Sequence, residues 1–237
     1  MSWISRFLGT QRIPGEALTA RQEQLVAGWR QLPDVDLRRS HYRCRYVVID
    51  VEATGGDPDS AQPRAIAALA LVDGQIAFRD AWQLVLEEPV AGAHAVPSSM
   101  AAAAEPLAAS SMVEGLIAFL AFLGKAPLVA YNANYVRRVI RRVLAEYLGV
   151  RLQQPWLDLA WILPDLFREV DAGPERLDAW LEHFGIDSIK RHDALSDAFA
   201  TAQLLQIAMA HAASRGFDTP ASLRELEKAR RHMRQSA

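Results

Sequence analysis

The chain has 237 residues, 51% of them apolar, with 26 Lys and Arg against 28 Asp and Glu, a formal net charge of −2 and a single cysteine. A chain of this length buries a core without covalent staples, and a lone Cys44 rules out an internal disulfide or a cysteine-based zinc site. The balance also argues against a coat of positive charge for holding long duplex DNA, whereas a carboxylate-rich metal site is compatible with it.

The total hides an uneven distribution. Residues 1–45 sum to +4 (8 basic, 4 acidic), 46–136 to −7 (3 basic, 10 acidic), 137–152 to +4 (5 basic, 1 acidic) and 153–237 to −3 (10 basic, 13 acidic). Every apolar run is broken by Pro or charge short of the roughly 18 residues of a membrane span. The first ten residues carry Trp3, Ile4, Phe7 and Leu8 without a signal-peptide pattern, so a soluble cytoplasmic protein is expected. This opening segment is read as packing back on its own domain or, alternatively, as a partner-docking or membrane-surface turn.

In chain order, a helix is expected over Glu16–Arg30, followed by the Pro33-Asp34 break and an Arg-containing link through Arg38, Arg39, Arg43 and Arg45. Residues 1–44 are thus an N-terminal helical extension, and the main domain spans 45–211. Tyr46–Val51 is a β-branched, apolar run closed by Thr54-Gly55-Gly56, the pattern of a buried strand ending in a turn. Strands are also expected at Ala65–Val72 and Ala77–Leu86, joined antiparallel through the Asp73-Gly74 hairpin signal. Val90–Pro106 reads as a loop and Ser110–Leu123 as a helix ending at Gly124.

Pro127–Tyr131 reads as a strand, and Asn134–Leu148 as a helix with an apolar stripe through Val136, Val139, Ile140, Val143, Leu144 and Tyr147. Helices follow at Leu157–Phe167 and Glu175–Phe184. Ala194–Ala210 is an alanine-rich helix apolar on most sides, and residues 212–237 hold a charged terminal helix. An antiparallel meander followed by alternating helices and strands gives an α/β fold, a mixed sheet flanked by helices.

Asp50 and Glu52 lie two apart at the end of a buried strand, so both point to one face. Two carboxylates there repel unless a cation joins them, the alternative being an acidic strand end that faces water. His192-Asp193-Ala194-Leu195-Ser196-Asp197 opens the alanine-rich helix, with Asp193 as N-cap and Asp197 one turn inside. Asp197 taken alone is equally an answer to the helix dipole.

Together, Val48-Ile49-Asp50-Val51-Glu52-Ala53-Thr54-Gly55 and His192–Leu205 resemble two signature segments of the DEDDh (DnaQ-like) 3′-5′ exonuclease superfamily, over roughly residues 45–211. The resemblance implies a ribonuclease H-like fold with a mixed five-stranded sheet, and two-metal phosphodiester hydrolysis with Mg2+ or Mn2+ at single-stranded DNA or RNA 3′ ends, releasing nucleoside monophosphates. It assigns Asp50, Glu52 and Asp197 as metal ligands and His192 as the base that takes the proton from the attacking water. Ala53, Thr54, Gly55 and Asn132 would line the pocket for the terminal nucleotide.

The middle segment departs from the family. Where it usually reads H-N-A-x-F-D, this chain has Tyr131-Asn132-Ala133-Asn134-Tyr135-Val136, with Val136 in place of the fourth carboxylate. Three consequences stay open: Asn134 substitutes as a neutral donor, the second metal is held only by Asp50 and substrate, or hydrolysis is lost. The last would make the chain a nucleic-acid or nucleotide-binding module, or a subunit contacting a polymerase or nucleotidyltransferase partner. Arg137, Arg138, Arg141 and Arg142 form either a solvated helix face or, through Arg137 and Arg138, candidate phosphate contacts near a helix N-terminus. Asp158 is expected to cap a helix rather than bind metal, and Trp156, Trp161 and Trp180 to pack in the core or between helices, with base stacking by one of them the alternative.

Overall fold

The computed structural model describes residues 17–86, 109–170, 177–190 and 192–235. The Trp3–Leu8 segment and the Val90–Pro106 loop lie outside them.

The sheet is built around β1 (Arg45–Ala53), in the order β3-β2-β1-β4-β5. β2 (Pro63–Val72) and β3 (Gln75–Val85) form the expected antiparallel meander, while β4 (Leu128–Ala130) and β5 (Trp156–Asp158) run parallel to β1. Asp73 and Gly74 join β2 to β3 with φ of 52° and 77°. Two consecutive positive φ values make a type I′ turn, whose twist matches the strands it joins.

Alternation along the strands sorts the core into two halves. Tyr46, Val48, Leu69, Leu71, Val129 and Leu157 face α4 (Leu159–Leu166), α5 (Leu177–His183), α6 (Ala194–Ser214) and α7 (Pro220–Gln235). Val47, Ile49, Ile66, Ala68, Leu128 and Ala130 face α1 (Ala20–Arg30), α2 (Ala109–Leu123) and α3 (Ala133–Leu148). β1 is covered on both faces, which is why its sequence is a continuous apolar run until Asp50. Among the described residues no helix is long and apolar enough to cross a membrane.

The alanine-rich helix runs on to Ser214 and β3 begins at Gln75, and two further boundary differences have a plain cause. The N-terminal helix begins at Ala20, not Glu16, because Thr19 caps it: Gln22 N–H donates to Thr19 Oγ1 (3.3 Å) and Thr19 N–H to Gln22 Oε1 (2.9 Å). The helix expected from Leu157 begins at Leu159. Residues 156–158 instead pair with β4, Leu128 opposite Trp156 and Ala130 opposite Asp158, and sheet pairing overrides the local helical pattern.

The charged terminal helix α7 is packed onto this body, burying Leu223 and Leu226 against the half-core that holds α4. Its polar anchor is a buried network. Arg231 Nη2 donates to Asp158 Oδ2 (2.8 Å), Arg231 Nε to Glu227 Oε1 (2.8 Å), and the Asp158 backbone N–H to Glu227 Oε2 (3.0 Å). Asp158 is 2% exposed, so its charge depends on these partners. The Arg231 guanidinium also lies 4.7 Å from the Trp161 ring centroid.

The link before β1 is strapped to the start of α7. His41 N–H donates to Asp218 O (2.9 Å) and Ala221 N–H to Leu37 O (3.0 Å). The His41 ring is fully buried, with Nδ1 2.6 Å from Tyr46 Oη and Nε2 3.0 Å from Phe217 O. A carbonyl only accepts, so Nε2 carries the proton and Nδ1 accepts from the Tyr46 hydroxyl. Burial holds His41 below its ordinary value of 6.5.

Arg231→Ala is expected to lower unfolding free energy by roughly 2–3 kcal/mol, because Asp158 stays buried without its cation while Arg231 itself is partly exposed. An unchanged urea midpoint would show that the network does not hold α7. For His41, the unfolded chain takes up the proton more readily than the folded one, so stability falls as pH drops below 6.5. This group contributes up to about 1.4 kcal/mol of loss per pH unit. Urea midpoints between neutral and mildly acid pH should therefore fall more steeply for the parent chain than for His41→Gln.

Candidate active site

Asp50 and Glu52 follow Tyr46 and Val48 on the α6 side of β1, opposite Ala67 and Ala65 of β2. The two alanines leave the carboxylates room, and a register shift between Glu52 and Ala53 ends the regular ladder just beyond them. On α6, the Asp193 side chain caps the helix by accepting from Ser196 N–H (3.0 Å), which sets Asp197 one turn inside. Asp197 is 7% exposed, and Ser188 Oγ lies at 3.5 Å from its Oδ1.

The carboxylate oxygens of Asp50, Glu52 and Asp197 lie within 4.8 Å of one another. Burial pushes the Glu52 carboxyl up, the negative charge of Asp197 pushes it further, and His192 and Arg64 oppose this. Three hard oxygen donors so crowded form a ligand set for a divalent cation, which would offset both burial and mutual repulsion. His192 stands beside this cluster, exposed, at φ 59° in the left-handed region. The loop that presents it is tied to the helix start, Lys190 N–H donating to Ser196 Oγ (2.8 Å).

Asp50 also lines a cavity of about 590 Å3 with Gly55, Tyr131, Asn132, Asn134, Tyr135 and Val136. Of the residues expected to receive a terminal nucleotide, Gly55 and Asn132 border this cavity. Ala53 packs instead against the α1–α3 half-core, and Thr54 closes its own turn, its N–H donating to Gln62 O (2.9 Å) and its Oγ1 accepting from Gln62 N–H (3.1 Å). Gly55 has φ 76°, and its carbonyl accepts from Tyr135 Oη (3.1 Å), a contact the sequence did not disclose. Asn132 precedes α3 at φ 57° without a side-chain cap bond.

Val136 is 3% exposed and serves two surroundings at once. It belongs to the α3 stripe with Val139, Ile140 and Val143, and it borders the cavity that Asp50 shares. An aliphatic group therefore stands where the resemblance expects a carboxylate. Asn134 Oδ1, the neutral substitute, accepts from Arg137 Nη2 (3.4 Å). Asp158 borders the same cavity but is committed elsewhere, accepting from Ala133 N–H and Ala160 N–H and pairing with Arg231.

The four arginines of α3 divide into two i, i+4 pairs. Arg138 forms a bidentate pair with Asp59 and Arg142 donates to Ala61 O, so both brace the turn after β1. Arg137 and Arg141 are exposed on the other side of the helix, where they border a second, larger groove. Sequence reading missed the clamp on Asp59 and the Asp158–Arg231–Glu227 network, since each joins segments tens of residues apart with no local signal.

The pattern of the RNase_T exonuclease family matches residues 47–205. PolC-type DNA polymerase III of Thermotoga petrophila is 29% identical over 161 residues, and that of Clostridium perfringens 26% over 166. These alignments cover 67% and 68% of this chain but 11% of each polymerase, so the chain spans about a tenth of those relatives. Among solved structures, E. coli exonuclease I in complex with a dT13 oligonucleotide superposes with a TM-score of 0.51 at 17% identity, covering 72% of this chain and 42% of that one. Exonuclease X in complex with 5′ overhanging duplex DNA gives 0.51 at 19% identity, covering 77% and 99%. The mixed sheet is thus the ribonuclease H-like sheet of these nucleases, and the chain belongs to the exonuclease family, within the DnaQ-like superfamily.

Proposed function

We propose that the chain is a metal-dependent 3′-5′ exonuclease acting on single-stranded nucleic-acid ends, with its second cation position weakened by Val136. The observation that carries this reading is the convergence of Asp50, Glu52 and Asp197 within 4.8 Å, next to a cavity that Asp50 lines, in a chain of the exonuclease family. Asp50, Glu52 and Asp197 would hold Mg2+ or Mn2+, which supplies Lewis acidity toward a phosphodiester. His192, exposed and close enough to Glu52 to act on its charge, would take a proton from the attacking water. Gly55, held by Tyr135, and Asn132 shape the cavity that receives the terminal nucleotide, and Ala53 and Thr54 support that turn from behind.

A second reading has its own observation. Val136 puts an apolar side chain beside Asp50, which favours a module that binds nucleic acid or nucleotide and hydrolyses it poorly. Association with a polymerase fits either reading, as the relatives that match are polymerases.

The test is release of nucleotide from a 3′-labelled oligonucleotide with Mg2+ or Mn2+. Asp50→Ala should reduce release to background. Val136→Asp should raise it by about two orders of magnitude, since a restored ligand is worth several kcal/mol and about 1.4 kcal/mol is tenfold. Equal rates for the parent chain and Asp50→Ala would sink the enzyme reading, and an inert parent rescued by Val136→Asp would establish the second. In EDTA, Val136→Asp should also melt below the parent, because it buries an unpaired carboxyl; Mn2+ should raise its melting temperature more than the parent's.

A further inference from the structure

The larger groove, about 920 Å3, lies between α3, α7, the link before β1 and the turns leading into β4 and β5. Lys125, Arg137, Arg141, Arg224, Lys228 and Arg231 border it, against Asp34 and Glu227. Six cations to two anions is a strong local excess in a chain whose formal charge is −2. Their partners leave much of that excess in place. Arg141 and Arg224 are exposed and have no ion pair or hydrogen bond among the described residues. Arg137 meets the neutral oxygen of Asn134, and the Lys125 ammonium lies 3.8 Å from the Trp29 ring centroid. Lys228 pairs only with exposed Glu225. Cations held toward one another by two separate helices repel unless an anion lies between them.

The groove adjoins the candidate active site, since Asn134 and Arg231 border both it and the cavity of Asp50. It is also unsuited to an added β-strand, because the Asp158 N–H at the β5 edge is already taken by Glu227. Trp156 borders it too, so cationic groups and an aromatic side chain line one channel, the combination that tracks a single strand. Three of the cations, Arg224, Lys228 and Arg231, come from α7, beyond the residues that match the exonuclease family.

We propose that this groove holds the phosphate backbone of a single strand several nucleotides away from the end that enters the Asp50 cavity. The proposal rests on reading the chain as a nucleic-acid-processing protein, but its readout does not require hydrolysis. Anisotropy of a 5′-fluorescein oligothymidylate of about 15 nucleotides, in EDTA, measures the groove and cavity together; one of about three nucleotides measures the cavity. Arg141→Glu with Arg224→Glu should weaken the longer strand by about tenfold or more at low salt and should flatten the salt dependence by about 1.4 in log–log slope. The shorter strand should be little affected. Arg141→Gln with Arg224→Gln, a milder change at exposed positions, should give an intermediate loss with an unchanged melting temperature.

Equal binding of the long strand by parent and both variants would overturn the proposal. So would equally effective competition by polyglutamate or by duplex of the same length, which would mark a general anion surface or a duplex site. If charge reversal weakens binding in EDTA while Mn2+ supports no nucleotide release, the groove stands and the hydrolytic reading fails.

Discussion

The site depends on how closely α6 approaches the sheet. Asp197 meets Asp50 and Glu52 because α6 lies directly on β1 and β2, where the side chains are small: buried Ala194, Ala198, Ala200 and Ala202 on the helix, buried Ala67 and half-buried Ala65 on β2. Interaxial distance follows the size of contacting side chains, so an alanine-rich helix is the element that brings a carboxylate near a strand. The approach has an electrostatic cost. With oxygens within 4.8 Å, each ionised pair repels by roughly 3–4 kcal/mol in a near-surface dielectric. Burial first, and the charge of Asp197 after it, push the Glu52 carboxyl up. Packing of an otherwise apolar core thus stores charge repulsion at one point, and a cation is the species that relieves it.

The other half of the site is organised by α3, which sits on the opposite face and reaches the cavity with its first turn. Val136 satisfies the requirements of that face, since its neighbours in the stripe are Val139, Ile140 and Val143. An aspartate at this position would answer the cavity and violate the stripe. If this position serves a metal as the resemblance implies, packing and metal binding compete for one side chain, and Val136 answers the packing. Nearby carboxylates do not compensate. Asp158 is neutralised by Arg231 and fixed as a helix cap, and Asp59 is occupied by Arg138.

Much of this was legible in the sequence because it is local or periodic. The run Tyr46–Val51, the Asp73-Gly74 turn, the α3 stripe and the spacing of Asp50, Glu52, His192 and Asp197 each depend on residues within one element. What escaped depends on distant partners. β5 is three residues long, too short for a period, and exists because β4 offers a free edge to pair with. The arginine cluster reads as one charged face, yet the i, i+4 geometry makes two ridges whose partners, the Asp57–Ala61 turn and the larger groove, come from elsewhere in the chain. The α7 anchor is invisible for the same reason: Glu227 and Arg231 look like an ordinary exposed i, i+4 pair until Asp158 is placed between them.

These long-range contacts are what give the periphery a stake in the site. The link at His41 fixes the start of α7, α7 fixes Arg231 against Asp158, and Arg231 forms the junction between the groove and the Asp50 cavity. A phosphodiester needs positive charge around it, and a bound cation provides that only while metal is available and its ligands are complete. Arginine stays charged at any pH the fold survives. If the groove holds a strand as proposed, the exposed arginines of α3 and α7 would neutralise part of its charge from the protein rather than from an ion. Under that proposal strand affinity would rest in part on α3 and α7, beyond the β1 and α6 segments, and the proposed chemical step on Asp50, Glu52 and Asp197.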